Sequence, residues 1–472
     1  MSAPNCLRCL GRRPSTATTV TAAGRCAPFS TTAVNGNVPM RAKTPNPMAK
    51  EIGFRSGARL TIKKKKVNHN EGKAPAPGER KAYRKKIVLS NDNALPVPWL
   101  KNMNAEHLAS PQSAGKVLSL PSELQDQLRA SEAFQPSQNW GFFRKPSTLV
   151  RTETVDLVTR MQDSASEKKT LRLVVTGSKL VGKSTMLLQA MAHAYLNGWI
   201  VIHIPDAQEL VNASTEYGRI PETEPTQYMQ PAYALKLLQA IKKANEKVLA
   251  KINTVSSHPE LPQNIPVNTP LLTLVNAAKE AEGAWPVFHA LWSELTNPNA
   301  NRPPVLFSLD GLSHIMKMSE YRSPSFELIH AHDLAFVRLF NDVLSGNLKF
   351  PNGGAVLAST SRSNAPRSPS MEISLAQRKA EQAGAAPEEL PKKEPYFKGY
   401  DDRVEAVLKS VEVMEVKGLT KPEARSIMEY WAASGMLRAA VDERTVSEKW
   451  TLAGNGVLGE LERASLLTMK YF

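Results

Sequence analysis

Residues 171–206 read LRLVVT (171–176), GSKLVGKS (177–184), TMLLQAMAHAYLNG (185–198) and WIVIHIPD (199–206). LRLVVT is short and rich in β-branched residues, which suits a strand. The third segment has apolar residues at helical spacing and ends near Gly198, a frequent helix stop. WIVIHIPD is a continuous apolar run of strand length, as expected for a strand buried on both faces. Strand, glycine-containing loop, helix and strand in that order predict a βαβ unit, and with it an α/β fold on a parallel sheet.

The loop Gly177–Ser184 matches G-x-x-x-x-G-K-[ST] without a mismatch, and it lies between a predicted strand and a predicted helix, which is the context the pattern requires. Gly177 and Gly182 permit a tight loop. The backbone N–H groups around Ser178, Lys179, Leu180, Val181 and Thr185 are expected to converge on phosphates at a helix N-terminus. Lys183 is expected to reach the β- and γ-phosphates, and the Ser184 hydroxyl to ligate Mg²⁺. The competing reading is a vestigial loop kept for packing.

VLFSLD (305–310) is a second apolar strand that ends on Asp310, where a Walker B acid would hold the metal through water. Ser359 or Thr360, at the end of AVLAST (355–360), occupies the place of a sensor residue. Hydrolysis further needs a group that orients or deprotonates water. The DGL sequence resembles the signal-transduction ATPases whose strand reads D-G-L-D-E, but Ser313 and His314 replace the trailing acids and Gly311 follows the Asp. Binding is therefore expected without appreciable turnover, and no catalytic residue is assigned. His330 and His332 are expected two apart on a helix over 326–345, on different faces, which argues against a shared metal.

Outward from this centre, the charge is unevenly placed. The chain has 472 residues and a net charge of +16. Residues 1–50 carry seven basic residues and no acid, residues 51–90 carry twelve against three, and residues 91–472 balance at 41 each. The positive charge thus belongs to an N-terminal arm, with Lys63–Lys66 in a row and the cluster RKAYRKK (80–86), and such an arm suits RNA. The first 33 residues contain Arg8, Arg12, Arg13 and Arg25 among Ser, Thr and Ala, and no acid precedes Glu51. That is the composition of a mitochondrial transit peptide, with cleavage expected near residue 30. Cys6, Cys9 and Cys26 all lie in this segment, so the remainder has no disulfide, thiolate-zinc or cysteine-nucleophile chemistry. No apolar stretch approaches the ~18 residues of a membrane span.

The expected organisation is a transit peptide (1–30), a basic extended arm (31–90), a P-loop nucleotide-binding domain with its lead-in (91–361), a low-complexity linker (362–395) and a small α-rich C-terminal domain (396–472). Residues 207–303 read as mainly helical. In the lead-in, Trp140, Phe142 and Phe143 are expected to pack. Near the C-terminus, Thr420 and Glu423 form a capping box ahead of IMEYWAASGML (427–437).

Four stretches together resemble the death-associated protein 3 family: WGFFRKPSTLVR (140–151), the loop with its following helix, VLFSLDGL (305–312) and EPYFKGYDDRVEAVL (394–408). The resemblance covers about residues 90–472. It implies a P-loop NTPase fold of the AAA+/STAND kind. It also implies a protein of the mitochondrial small ribosomal subunit head that binds a guanine nucleotide, GTP or GDP, with Mg²⁺, in the matrix, against rRNA and neighbouring ribosomal proteins. Gly177–Thr185 and Asp310 carry over position by position. Base specificity does not, since no NKxD-type guanine motif is present, and ATP stays open. The competing function is a soluble mitochondrial ATPase or GTPase switch.

Overall fold

Five parallel strands form the central sheet: β1 (Thr170–Gly177), β2 (Ile200–Ile204), β3 (Val305–Asp310), β4 (Gly354–Ser359) and β5 (Glu412–Val416), in the spatial order β5-β1-β4-β3-β2. The computed structural model describes residues 87–363 and 365–466. These belong to one compact unit, Ala74–Phe472. The expected transit peptide and nearly all of the basic arm lie outside the described residues.

The register places the functional edge. Val175 of β1 pairs with Ser359 of β4, and Ser359 pairs with Asp310 of β3. Ile204 of β2 pairs with Leu309, and Val416 of β5 with Gly177. All five carboxyl ends therefore share one edge. The chain leaves β1 for the far edge of the sheet, so a crevice opens beyond β1, where ligands of open α/β sheets bind.

Alternation along β1 divides the core. Leu173 and Val175 pack with the first two main helices, α1 (Thr152–Ser166) and α2 (Lys183–Leu196). Val174 faces the other side, toward α3 (Pro231–Ala244), α4 (Ala284–Leu295) and α5 (Ala335–Ser345). This is the period-two consequence of a strand covered on both faces. Helix α2 is buried nearly all round, which explains why its apolar residues do not confine themselves to one stripe.

Four expectations are corrected. The helix expected over 326–345 is α5 alone. Residues 318–322 and 328–330 form an antiparallel hairpin, and a short 3-10 turn, Ala331–Asp333, leads into the helix. His330 and His332 consequently sit at a strand end with rings 4.5 Å apart. His330 bonds Asp401 at 2.7 Å, and burial lowers the pKa of His332 to about 3. The expected linker over 362–395 contains a 14-residue helix, α6 (Pro369–Gln382), capped by Ser368. The stretch expected to be a separate α-rich region first supplies α7 (Asp402–Leu408) and edge strand β5, and only then the helices α8 (Lys421–Ala433), α9 (Glu443–Leu452) and α10 (Leu458–Ser465). The segment 207–303 holds α3 and α4 with three shorter helices, but also long loops and a small hairpin, Gly218–Arg219 with Tyr228–Met229.

The predicted capping box is present on α8: the Thr420 side chain accepts from the Glu423 N–H, and Glu423 accepts from the Thr420 N–H. Trp140 and Phe143 are buried. Among the described residues, no helix is long and apolar enough to cross a membrane.

Candidate functional site

Gly177 leaves β1 with φ +148°, and a Cβ there would lie 2.5 Å from the Val416 carbonyl oxygen of β5. Only glycine fits that approach. At the other end of the loop Gly182 has φ +101° and forms the N-cap of α2, a conformation that L side chains rarely adopt. Leu180, between them, also has positive φ, and its carbonyl accepts a hydrogen bond from the Gly459 N–H of α10. The loop is thus wound tightly around its own centre and held from outside by the C-terminal helices.

Lys183 points back into that centre. Its Nζ donates to the carbonyls of Gly177 at 3.1 Å and Ser178 at 2.7 Å. Burial lowers its pKa to about 8, opposed by the attraction of Asp310 and reinforced by Arg362. Asp310 closes the site from β3. Burial raises its pKa, while hydrogen bonds from Ser359 and Ser184 pull it down. So Ser184 and Asp310, 126 positions apart in sequence, meet where the sequence pattern requires. Ser359 bonds Asp310 directly; Thr360 instead ties its N–H to Val175 at 3.0 Å and is a structural neighbour.

Gly311 turns the chain at φ +87° after Asp310. Ser313 donates to the Ser361 carbonyl and is buried. His314 is buried beside Gly311, and burial lowers its pKa. The residues that replace the D-G-L-D-E acids are therefore packing groups.

Several neighbours come from distant sequence. Asp206, two residues past β2, caps the helix Ala207–Val211 and acts electrostatically on both Asp310 and His314. No motif marks it; the sheet order alone brings it to the edge. Arg362 follows β4 at the mouth. Arg151, only 8% exposed, donates to Val181 of the loop at 3.3 Å, to Lys417 past β5 at 2.9 Å and to Glu153 at 2.8 Å. The cleft, about 390 Å³, is lined by the loop, the lead-in residues 137–140 and α10. That size suits a small ligand. Among the described residues no group of three or more His, Cys, Asp or Glu could hold a metal. A Ser–Asp pair is nonetheless the sparse protein contribution usual for Mg²⁺, which keeps waters and takes phosphate oxygens.

Fold and site define a parallel α/β protein with a glycine-bounded loop, a buried lysine and a facing aspartate at one sheet edge. The family model described as mitochondrial ribosomal death-associated protein 3 matches residues 148–464, and the chain belongs to that family. It is 56% identical to a Neurospora crassa protein named small ribosomal subunit protein mS29, over 100% of both chains. A Schizosaccharomyces pombe protein of the same name is 29% identical over 71% of this chain and 68% of its own. Among solved structures, the Aeropyrum pernix ORC2 protein (ADPNP–ADP complexes) aligns at 14% identity and a TM-score of 0.30, over 66% of this chain and 58% of that one.

Proposed function

We propose that this chain is a component of the mitochondrial small ribosomal subunit that holds a purine nucleotide with Mg²⁺ and turns it over little or not at all. Family membership supports the ribosomal and mitochondrial parts. The nucleotide reading is carried by one observation: Lys183, Ser184 and Asp310 converge at a loop that turns on two glycines of positive φ and lines the cleft. The strand order β5-β1-β4-β3-β2 supports a P-loop NTPase relationship of the AAA+/STAND kind, because one strand stands between the loop strand and the aspartate strand.

The donor set fits the group. Lys183 would exchange its two loop carbonyls for phosphate oxygens, and Ser184 and Asp310 would hold Mg²⁺. Bound Mg²⁺ would supply charge neutralisation to the phosphates. The protein's part is to bind and orient. For turnover it offers buried Ser313 and His314 and a helix-capping Asp206. Equal binding of ground and transition states does not raise the rate.

The test has two arms. Mitochondrial lysate is sedimented at high salt, and the small-subunit fraction is assayed for this chain and for extractable nucleotide. Single-turnover phosphate release from GTP and ATP is then measured for purified protein and assembled subunit, with Lys183→Ala as blank. Co-sedimentation with bound nucleotide and slow release are expected. Release at ~1 per second or faster, lost in Lys183→Ala and in Asp206→Asn, would replace this reading with that of a switch.

A further inference from the structure

We infer that the loop 391–400 is a contact for single-stranded RNA, in which the Tyr396 ring stacks on a base while Lys392 and Lys398 meet phosphates on either side; this rests on the ribosomal reading above. The loop contains EPYFKGY (394–400), a stretch to which neither the cleft nor the core gives a task.

The loop is held without Tyr396. It lies between α6 and α7, and residues 391–399 are exposed at every position. At its start the Pro391 carbonyl accepts from Gln377 of α6 at 2.7 Å. Just past its end the Asp401 N–H donates to Ser370 at 2.7 Å, and the Asp401 carboxylate bonds His330 of the hairpin. Inside, the Glu394 N–H donates to the Tyr400 hydroxyl at 3.0 Å, and the Phe397 N–H closes a turn on the Glu394 carbonyl at 3.2 Å. The Phe397 ring meets Tyr400 edge-on, with centroids 5.0 Å apart. Lys393 lies over the Tyr400 ring and pairs with Glu405. Phe397, Tyr400 and Lys393 thus brace the turn. Tyr396 stands at its corner, 96% exposed, and takes part in none of these contacts. It is the most exposed large apolar side chain among the described residues.

Charge and shape then choose the partner. A nucleobase is a flat partner for a ring whose faces are bare, and every base has such a face, so stacking needs no sequence match. Residues 391–400 hold three lysines against one acid, Glu394. Lys393 is committed to Glu405, but Lys392 and Lys398 make no ion pair among the described residues. They stand before and after Tyr396 in the loop, so an ammonium on each side of a stacked ring can meet the phosphates of neighbouring nucleotides. A tyrosine that anchors a protein contact sits in a well-packed pocket ringed by contacts that exclude water. Tyr396 stands instead in an exposed turn among lysines. In paired RNA the base faces are already stacked, so the loop suits unpaired RNA. Its ionic share is small: two phosphate contacts on a single strand account for about 1.4 of salt slope, and stacking adds a contact that salt does not screen.

The experiment titrates the full mature chain, at several salt concentrations, with single-stranded oligoadenylate of about twelve nucleotides and with an abasic strand of the same length. Wild type should bind the oligoadenylate more tightly. Tyr396→Ala should lose about tenfold in affinity for it, in line with the value of one stacked base, with the salt slope unchanged and no loss on the abasic strand. Tyr396→Phe keeps the ring and should bind as wild type does. Lys392→Gln with Lys398→Gln should lower the slope by about 1.4 on both strands. Melting should not change in any of these variants, because none of the altered side chains holds the loop. Wild-type binding of both strands alike, or Tyr396→Ala with undiminished affinity for oligoadenylate, would overturn the inference. Tyr396→Ala that keeps its RNA affinity but no longer sediments with the small subunit would overturn it too, and would give the ring to a protein partner. A wild-type chain that does not sediment with the small subunit would instead overturn the ribosomal reading on which the inference rests.

Discussion

Lys183 donates to two carbonyls of its own loop, and burial holds its pKa near 8. Phosphate binding needs the charged ammonium. As pH rises through about 8, the free protein loses that proton, and binding must take one up from solution. Nucleotide affinity should therefore fall by up to about tenfold per pH unit above 8. Calorimetric titration between pH 7 and 9.5, in buffers of different ionisation enthalpy, reads both the fall and the proton uptake; a flat profile would mean that the lysine stays charged. The sign reverses for the stability of the nucleotide-free protein. Its unfolded chain still holds the proton between about 8 and the ordinary 10.5, so folding should strengthen with pH there relative to Lys183→Met. At this scale, Lys183, Ser184 and Asp310 were legible because a local pattern and a strand end mark them. Asp206 and Arg151 were not. Their roles depend on strand order and on the return of the C-terminal helix, and their own surroundings in sequence are unremarkable.

Among elements, the βαβ unit and the capping box were legible for the same reason: their signals are complete within a short window. The stretch over 326–345 misled because its apolar spacing runs through the hairpin, where Phe326 and Leu328 are exposed and contribute no core. Helix α6 was hidden because its buried face is Ser370, Met371, Ser374 and Leu375, two of them serines. The join between elements is carried by Arg151. It reaches the loop Gly177–Ser184, the chain after β5 and, at 4.0 Å, Glu423 at the start of α8. Both side chains of that pair are under 10% exposed. Arg151→Met leaves Glu423 buried without its cation, and should cost about 3–5 kcal/mol. Thr420→Ala, which removes only the cap of the same helix, should cost about 1 kcal/mol. Denaturant melts of both variants give the comparison. Equal losses would mean that Arg151 contributes as one more surface ion pair and does not fasten the C-terminal helices to the loop.

At the scale of the whole molecule, the excess charge and the described fold occupy different parts of the chain. Residues 91–472 carry equal numbers of acids and bases, and the excess of +16 lies before residue 91. RNA affinity that comes from phosphate contacts falls with salt, by about 0.7–0.9 in log K per log salt for each contact. We therefore expect the arm to supply most of the salt dependence of RNA binding, while the cleft supplies nucleotide binding alone. Leu89 is 3% exposed within the core, and the Asn91 N–H bonds Phe143, so a deletion must stop short of them. Removal of residues 31–86 from the mature chain should lower RNA affinity and flatten its salt slope, with unchanged melting and unchanged nucleotide binding. The measurement is RNA titration at four or five salt concentrations, beside nucleotide titration on the same samples. A truncated chain with the original slope would place the RNA contacts on the neutral body, where local patches and not net charge would have to make them. Loss of nucleotide binding together with RNA binding would show that the arm folds against the cleft, and that the separation of charge from fold does not extend to function.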